Sequence, residues 1–259
     1  MSINFYRRVA NKGAVMVAPV DSFDVTIQTS GVDDTFTLPT KTGYSYSANV
    51  DWGDSSSSTI TAFDDADITH TYSVEGLYTI KITGTFEAWS FNNGGDKLMA
   101  TAVHFGSEVT FKYFRLMFFG CSNLVTVTGQ ILADVATTSG DNVFNACSSL
   151  VNIPSDLITE LVNIEVFSGF FTDCTSLGSI PSGFFNFVGS ATVYQLLFGG
   201  CTSLAGSSEE LWLNEDIAGT YSLTAPDYSN GAPPAPNGGD CYQNCTGLSD
   251  YASIPTYWK

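Results

Sequence analysis

The chain has 259 residues, 44% of them hydrophobic and only 14% charged, with 24 glycines and 19 phenylalanines. That is enough apolar material to bury a core, which excludes a disordered chain, and no apolar run reaches the roughly 18–20 residues of a membrane span. A net charge of −17 repels phosphate backbones and anionic lipid, so nucleic-acid binding by the folded body is not expected.

Charge is uneven along the chain. Residues 1–20 hold Arg7, Arg8 and Lys12 and no acid, so they carry +3 and leave −20 on the rest. Two readings of this arm stand. It is a short segment packed on its own domain, or an assembly anchor in which Phe5, Tyr6, Arg7, Arg8 and Lys12 dock on a larger acidic assembly. Its pattern is not read as a secretory signal, because Lys12 interrupts the stretch after Arg7-Arg8 and the apolar run 13–20 is short and broken by Pro19.

From Asp21 to about Gly84 short β-rich runs, such as 23–27 and 78–82, alternate with Gly, Asp and Ser clusters, a spacing that suits a small antiparallel sandwich. Within it lie Val50-Asp51-Trp52-Gly53-Asp54, then His70-Thr71-Tyr72, then Gly76-Leu77-Tyr78-Thr79-Ile80. Three motifs in this order resemble the polycystic-kidney-disease (PKD) type of immunoglobulin-like domain. The resemblance covers roughly 65 residues and implies a β-sandwich over 21–88, a structural role for His70, and a spacer or adhesive module rather than a catalyst.

A repeat begins near Lys97. Phe118-Phe119-Gly120-Cys121-Ser122-Asn123-Leu124 recurs around Cys147, Cys174 and Cys201, and with Tyr242 in place of Phe around Cys245; the steps between cysteines are 26, 27, 27 and 44 residues. A near-constant period with one insertion is the mark of a solenoid whose coils bury their apolar faces only against each other. Ile153-Pro154-Ser155 and Ile180-Pro181-Ser182 are expected to end short strands at proline, and Ser155–Leu161 reads as a short helix with Ser155 as its N-cap. The pattern F-x-x-C-[ST]-x-L followed by I-P-S resembles the BspA-type leucine-rich repeats of bacterial surface proteins and some bacteriophage proteins. That resemblance covers about 160 residues and implies a leucine-rich-repeat solenoid over 89–259, with a capping coil at its end and a role in adhesion or display. The expected fold class is therefore mainly β with short helices, in three parts: arm 1–20, sandwich 21–88 and repeats 89–259.

Five cysteines (Cys121, Cys147, Cys174, Cys201, Cys245) share one slot of successive coils and are expected to form a buried ladder. Cys241 falls in the slot four before, which otherwise holds Met117, Val143, Phe170 and Leu197; free buried thiols and a bridge involving Cys241 both remain open. The only close pair is Cys241-x₃-Cys245 and the repeat coils hold no histidine, so no zinc site is expected. Asp51, Asp54, Asp64, Asp65 and Asp67 offer oxygens for calcium, or are turn formers. His70 and His104 are the two candidate neutral-pH bases, His104 in what looks like a strand leading into the first coil. No nucleophile elbow, phosphate loop or metalloprotease motif accompanies them, so no enzyme and no cofactor are expected. Carboxylate pairs Glu209-Glu210 and Glu215-Asp216 read as solvated faces.

The insertion 207–240 carries Trp212, Tyr221 and Tyr228 among Pro and Gly. It either folds back over the repeats or presents a ligand-binding surface. The expectation for the whole is a non-enzymatic bacteriophage virion surface protein, a head decoration or tail adhesin. Its partners would be other virion proteins, reached through the arm, and a host-surface polysaccharide or protein. A bacterial cell-surface adhesin and a purely structural capsid cement protein are the alternatives.

Overall fold

A computed structural model describes residues 21–185, 191, 193–208 and 239–259. The described chain is mainly β. Its strands are β1 (Phe23–Gln28), β2 (Asp34–Thr37), β3 (Tyr46–Asp51), β4 (Ser57–Ile60), β5 (Thr69–Tyr72), β6 (Leu77–Phe86), β7 (Ala100–Phe105) and β8 (Thr126–Gly129). Helical structure among the described residues is confined to three-residue 3-10 turns at Ala66–Ile68, Lys97–Met99, Tyr251–Ser253 and Thr256–Trp258.

Period-2 patterning sets the sheet. Phe23, Val25 and Ile27 of β1, and Tyr46, Ala48 and Val50 of β3, point inward while their neighbours point out. The strands form a six-stranded sheet in the order β4-β3-β6-β1-β7-β8, with β2 and β5 as a separate pair. β6 pairs antiparallel with both β1 and β3, and buried Phe36 and Tyr72 of the small sheet join the same core. The sheet does not stop near residue 88: β7 adds antiparallel to the other edge of β1, and β8 adds parallel to β7. The expected strand around His104 is thus β7. Phe23 packs against Trp89, Phe105 and Phe111 at centroid distances of 5.2–5.5 Å, so one apolar core runs from the strands into the repeats.

Beyond β8 the chain advances by turns. Each repeat hands three backbone N–H groups to the next. Those of Leu116, Phe118 and Gly120 meet the carbonyls of Asp141, Val143 and Asn145, and those of Asn142, Phe144 and Ala146 meet Ser168, Phe170 and Thr172. The same rungs continue from Gly169, Phe171 and Asp173 to Gln195, Leu197 and Gly199. Two positions per repeat lie in the left-handed region. They are the residue five before the cysteine (Leu116, Asn142, Gly169, Leu196, Asp240) and the one just before it (Gly120, Ala146, Asp173, Gly200, Asn244). None is β-branched, the residue class that conformation penalises most.

Ser155–Leu161 is not a helix. It is a run of turns in which Leu157 N–H bonds to Pro154, Thr159 to Asp156 and Leu161 to Ile158. An α-helix would need the Leu157 carbonyl for Leu161, but that carbonyl accepts from Ile131 of the preceding repeat. Likewise the strands expected before Pro154 and Pro181 shrink, in the first case to a single bridge between Thr126 and Asn152. The chain end closes the stack: Asp240 and Tyr242 donate to the carbonyls of Tyr257 and Trp258, and the Trp258 ring lies over Tyr194.

Candidate functional site

Three regions of the described chain bear on function: the tip that gathers the first three motifs, the repeat columns, and a cleft where sheet and repeats meet.

At the tip the motif residues form one aromatic cluster. The His70 ring stacks on Trp52 at 4.8 Å and meets Tyr72 edge-on at 4.6 Å, and Tyr72 in turn stacks on Tyr78 at 4.2 Å. Trp52 Nε1 donates to Ser58 Oγ at 3.0 Å, and the buried Tyr72 hydroxyl donates to the Trp52 carbonyl at 3.0 Å. His70 Nε2 lies 2.7 Å from Asp54 Oδ2. Burial opposes ionisation of Asp54, but hydrogen bonds from Ser56 and His70 outweigh it and hold the carboxyl below its ordinary range. The stack on Trp52, the edge contact with Tyr72 and the Nε2 bond to Asp54 tie His70 into the fold.

Three of the five candidate calcium carboxylates, Asp51, Asp54 and Asp65, serve turns. Asp51 accepts from the Gly53 N–H, Asp54 from Ser56, and Asp65 from the N–H groups of Thr61 and Asp67. Those bonds keep Asp65 below its ordinary pKa. Asp64 adds no further convergence: among the described residues no group of three or more His, Cys, Asp or Glu side chains is placed to hold a metal ion.

The repeat residues form columns. Phe118, Phe144, Phe171, Phe198 and Tyr242 stack nearly parallel, with successive centroids 5.7, 5.6, 5.4 and 5.9 Å apart. Beside them the five repeat cysteines are fully buried, and four send Sγ–H back to a phenylalanine carbonyl of the preceding repeat. Cys147 reaches Phe118, Cys174 Phe144, Cys201 Phe171 and Cys245 Phe198, at 3.0–3.2 Å. All six cysteines are free thiols. Burial pushes the thiols up, Cys245 to about 12, which leaves them protonated and poor nucleophiles. The slot four before the cysteine is buried as its apolar occupants require, Cys241 included. Tyr242 departs from phenylalanine for a visible reason: its hydroxyl donates to the buried Ser208 carbonyl at 2.8 Å.

The sequence that supplies these columns is one-sided in charge. From Leu116 to Trp258 the sequence holds 13 Asp and Glu and no Lys, Arg or His. Among the described cations that precede it, Lys112 pairs with Glu87 at 2.6 Å, Arg115 with Asp141 at 2.6 Å, and Lys41 lies over the Tyr113 ring.

At the carboxyl ends of the parallel pair β7–β8 lies an open cleft of about 230 Å³, lined by Asp21, His104, Ser107, Gln130, Leu132 and Asp156 among others. Its groups are fixed by the fold. His104 lies between Thr128 Oγ1, 3.0 Å from Nδ1, and Asp21 Oδ1, 3.1 Å from Nε2. Asp21 Oδ2 accepts the Ser107 N–H at 3.1 Å, and Gln130 Nε2 donates to Thr159 Oγ1 at 2.8 Å. The bonds from His104 and Ser107 hold the Asp21 carboxyl below its ordinary pKa, so it is ionised at neutral pH. Of these residues the sequence singled out only His104. Asp21, Gln130 and Asp156 share no motif and meet only because β1, β7 and two repeats converge.

The anchor residues Phe5, Tyr6, Arg7, Arg8 and Lys12 lie outside the described residues, as do Trp212, Tyr221, Tyr228 and the pairs Glu209-Glu210 and Glu215-Asp216. Comparison with known proteins finds no match: no family model, no curated protein and no solved structure is detectably similar to this chain.

Proposed function

We propose that the protein is a non-enzymatic display protein of a bacteriophage virion, with a PKD-type immunoglobulin-like sandwich carrying a BspA-like leucine-rich-repeat solenoid. The observation that carries this reading is the column of five stacked aromatic rings beside a row of buried, protonated cysteines. It spends the reactive side chains of the repeats on rigidity and leaves the outward positions to vary. Such a body holds a surface in place and presents it. The basic arm would attach to neighbouring virion proteins, and the repeats would project toward host-surface polysaccharide or protein. A bacterial surface adhesin is the second reading, since the same repeat pattern serves both settings, and a cement protein without host ligand is the third.

Immunogold electron microscopy of a lysing producer culture, with antibody against the repeat region, tests the proposal. Label on virus particles is the expected result, with head or tail position distinguishing decoration from attachment. Label confined to cell envelopes would replace it with the adhesin reading.

A further inference from the structure

The cleft between sheet and repeats has a chemistry that narrows its ligand. We propose that it binds one neutral saccharide unit of a surface glycan, with Asp21, Ser107, Gln130 and Asp156 hydrogen-bonding its hydroxyls and Leu132 meeting its C–H face.

Among the described residues the cleft presents two carboxylates and one imidazole, and no Lys or Arg. Between Leu116 and Trp258 the described residues hold eight acids and no Lys, Arg or His. A phosphate, sulfate or sialic acid entering such a site would meet the like charge of two carboxylates with no Lys or Arg among the lining residues to offset it. Anionic glycans, nucleic acids and anionic lipid are therefore poor occupants, and a neutral or cationic group is favoured.

Hydrogen-bond capacity separates those two. A guanidinium or ammonium has donors only, and would use the carboxylates alone. The cleft also offers groups that both donate and accept: the Ser107 hydroxyl and the Gln130 carboxamide, whose oxygen stays available while its nitrogen donates to Thr159. A sugar hydroxyl both donates and accepts, and matches this mixed lining. Asp21 Oδ1 accepts from His104 and Oδ2 from the Ser107 N–H, and the Ser107 hydroxyl also bonds the carboxylate, which fixes it in orientation and leaves lone pairs for a further hydroxyl. Asp156 faces the same space and, among the described residues, its carboxylate has no hydrogen-bond or ion-pair partner. A volume of about 230 Å³ takes one ring rather than an oligosaccharide. An open cleft with several exposed hydrogen bonds predicts a dissociation constant of about 1–10 mM for a single unit. Many copies on one particle would convert that into firm attachment.

The inference extends the display reading, but its test is independent of where the protein resides. The purified full chain is titrated with glucose, galactose, mannose, rhamnose and N-acetylglucosamine, each observed by saturation-transfer NMR, and with N-acetyl-argininamide as the cationic probe. The expected result is saturable binding of at least one neutral sugar, weakened tenfold or more by Asp156→Ala and by Ser107→Ala, two exposed positions whose variants keep the parental melting temperature. Absence of saturable sugar binding up to about 50 mM, binding undiminished in both variants, or preference for the arginine probe would each overturn it. Label on virus particles without sugar binding would retain the display function and remove this site. Sugar binding with label on cell envelopes would do the reverse.

Discussion

Trp52 and Phe144 are both fully buried aromatic rings, yet they are held by different means. Trp52 sits in a local cluster of unlike partners, stacked on His70 and bonded through Nε1 to Ser58, beside a sheet whose strands pair over four to six residues. Phe144 sits between two copies of itself, Phe118 at 5.7 Å and Phe171 at 5.6 Å, with three backbone rungs to the next repeat. In the strand half each core position is specified once. In the repeat half a position is specified by its column, so every occupant must suit the neighbours on either side. The difference teaches where each half is vulnerable: the first through pairing register, the second through column chemistry.

The largest effect on the column chemistry is expected from alkali, because all six cysteines lie in the repeats. Burial raises the folded-state thiol pKa values, with Cys245 at about 12, and for Cys201 the hydrogen bond with Cys174 raises it more than burial does, while an unfolded thiol ionises near 8.5. The folded state therefore keeps protons that the unfolded state releases. This stabilisation is complete below about pH 8.5 and is lost as pH climbs toward the folded values, by up to about 1.4 kcal/mol per pH unit for each thiol. A melting temperature that falls steeply between about pH 9 and 10 is expected. Native protein should leave all six thiols unreacted with a thiol reagent at pH 8, and unfolded protein should titrate six.

Next in size is Phe144→Ala, expected to cost about 3–5 kcal/mol, measured by denaturant unfolding. Its cavity would lie in the shared column, so hydrogen exchange should rise in the repeats around both Phe118 and Phe171. Trp52→Ala falls in the same range of cost but should loosen mainly the tip around His70 and Tyr72.

Smaller effects come from the left-handed positions. Ala146, at φ 59°, is expected to gain about 0.5–1 kcal/mol on change to Gly and to lose at least about 1 kcal/mol on change to Val. Gly200→Ala should be destabilising, since φ is 78° there and the new Cβ would collide with Asp173 Oδ1. Of similar size is Tyr242→Phe, which restores the repeat consensus yet removes the hydroxyl bond to Ser208; about 1 kcal/mol should be lost.

These positions also mark what could be read from the chain. The cysteine slot and the aromatic before it were legible because a period repeats them. The inward alternation of β1 was legible because Phe23, Val25 and Ile27 obey a two-residue rule. The left-handed positions were not, because backbone conformation does not fix a residue type: Leu116, Asn142, Gly169, Leu196 and Asp240 occupy one slot. Ser155 misled because its local pattern fits an N-cap, while the deciding bond, Ile131 N–H to the Leu157 carbonyl, comes from another repeat. The cleft was invisible for the same reason, since residues 21, 104, 130 and 156 meet only through the topology.

The central claim is that the halves share one core, joined by β7 and β8 on the edge of β1 and by Trp89 against Phe23. Hydrogen exchange followed by mass spectrometry across a denaturant series, on the full chain near pH 7, tests it directly. The account predicts that peptides covering β1 and β6 lose protection at the same denaturant concentration as peptides covering 114–124 and 141–150. Loss of protection in the repeats at a clearly lower concentration, with β1 and β6 still protected, would contradict it.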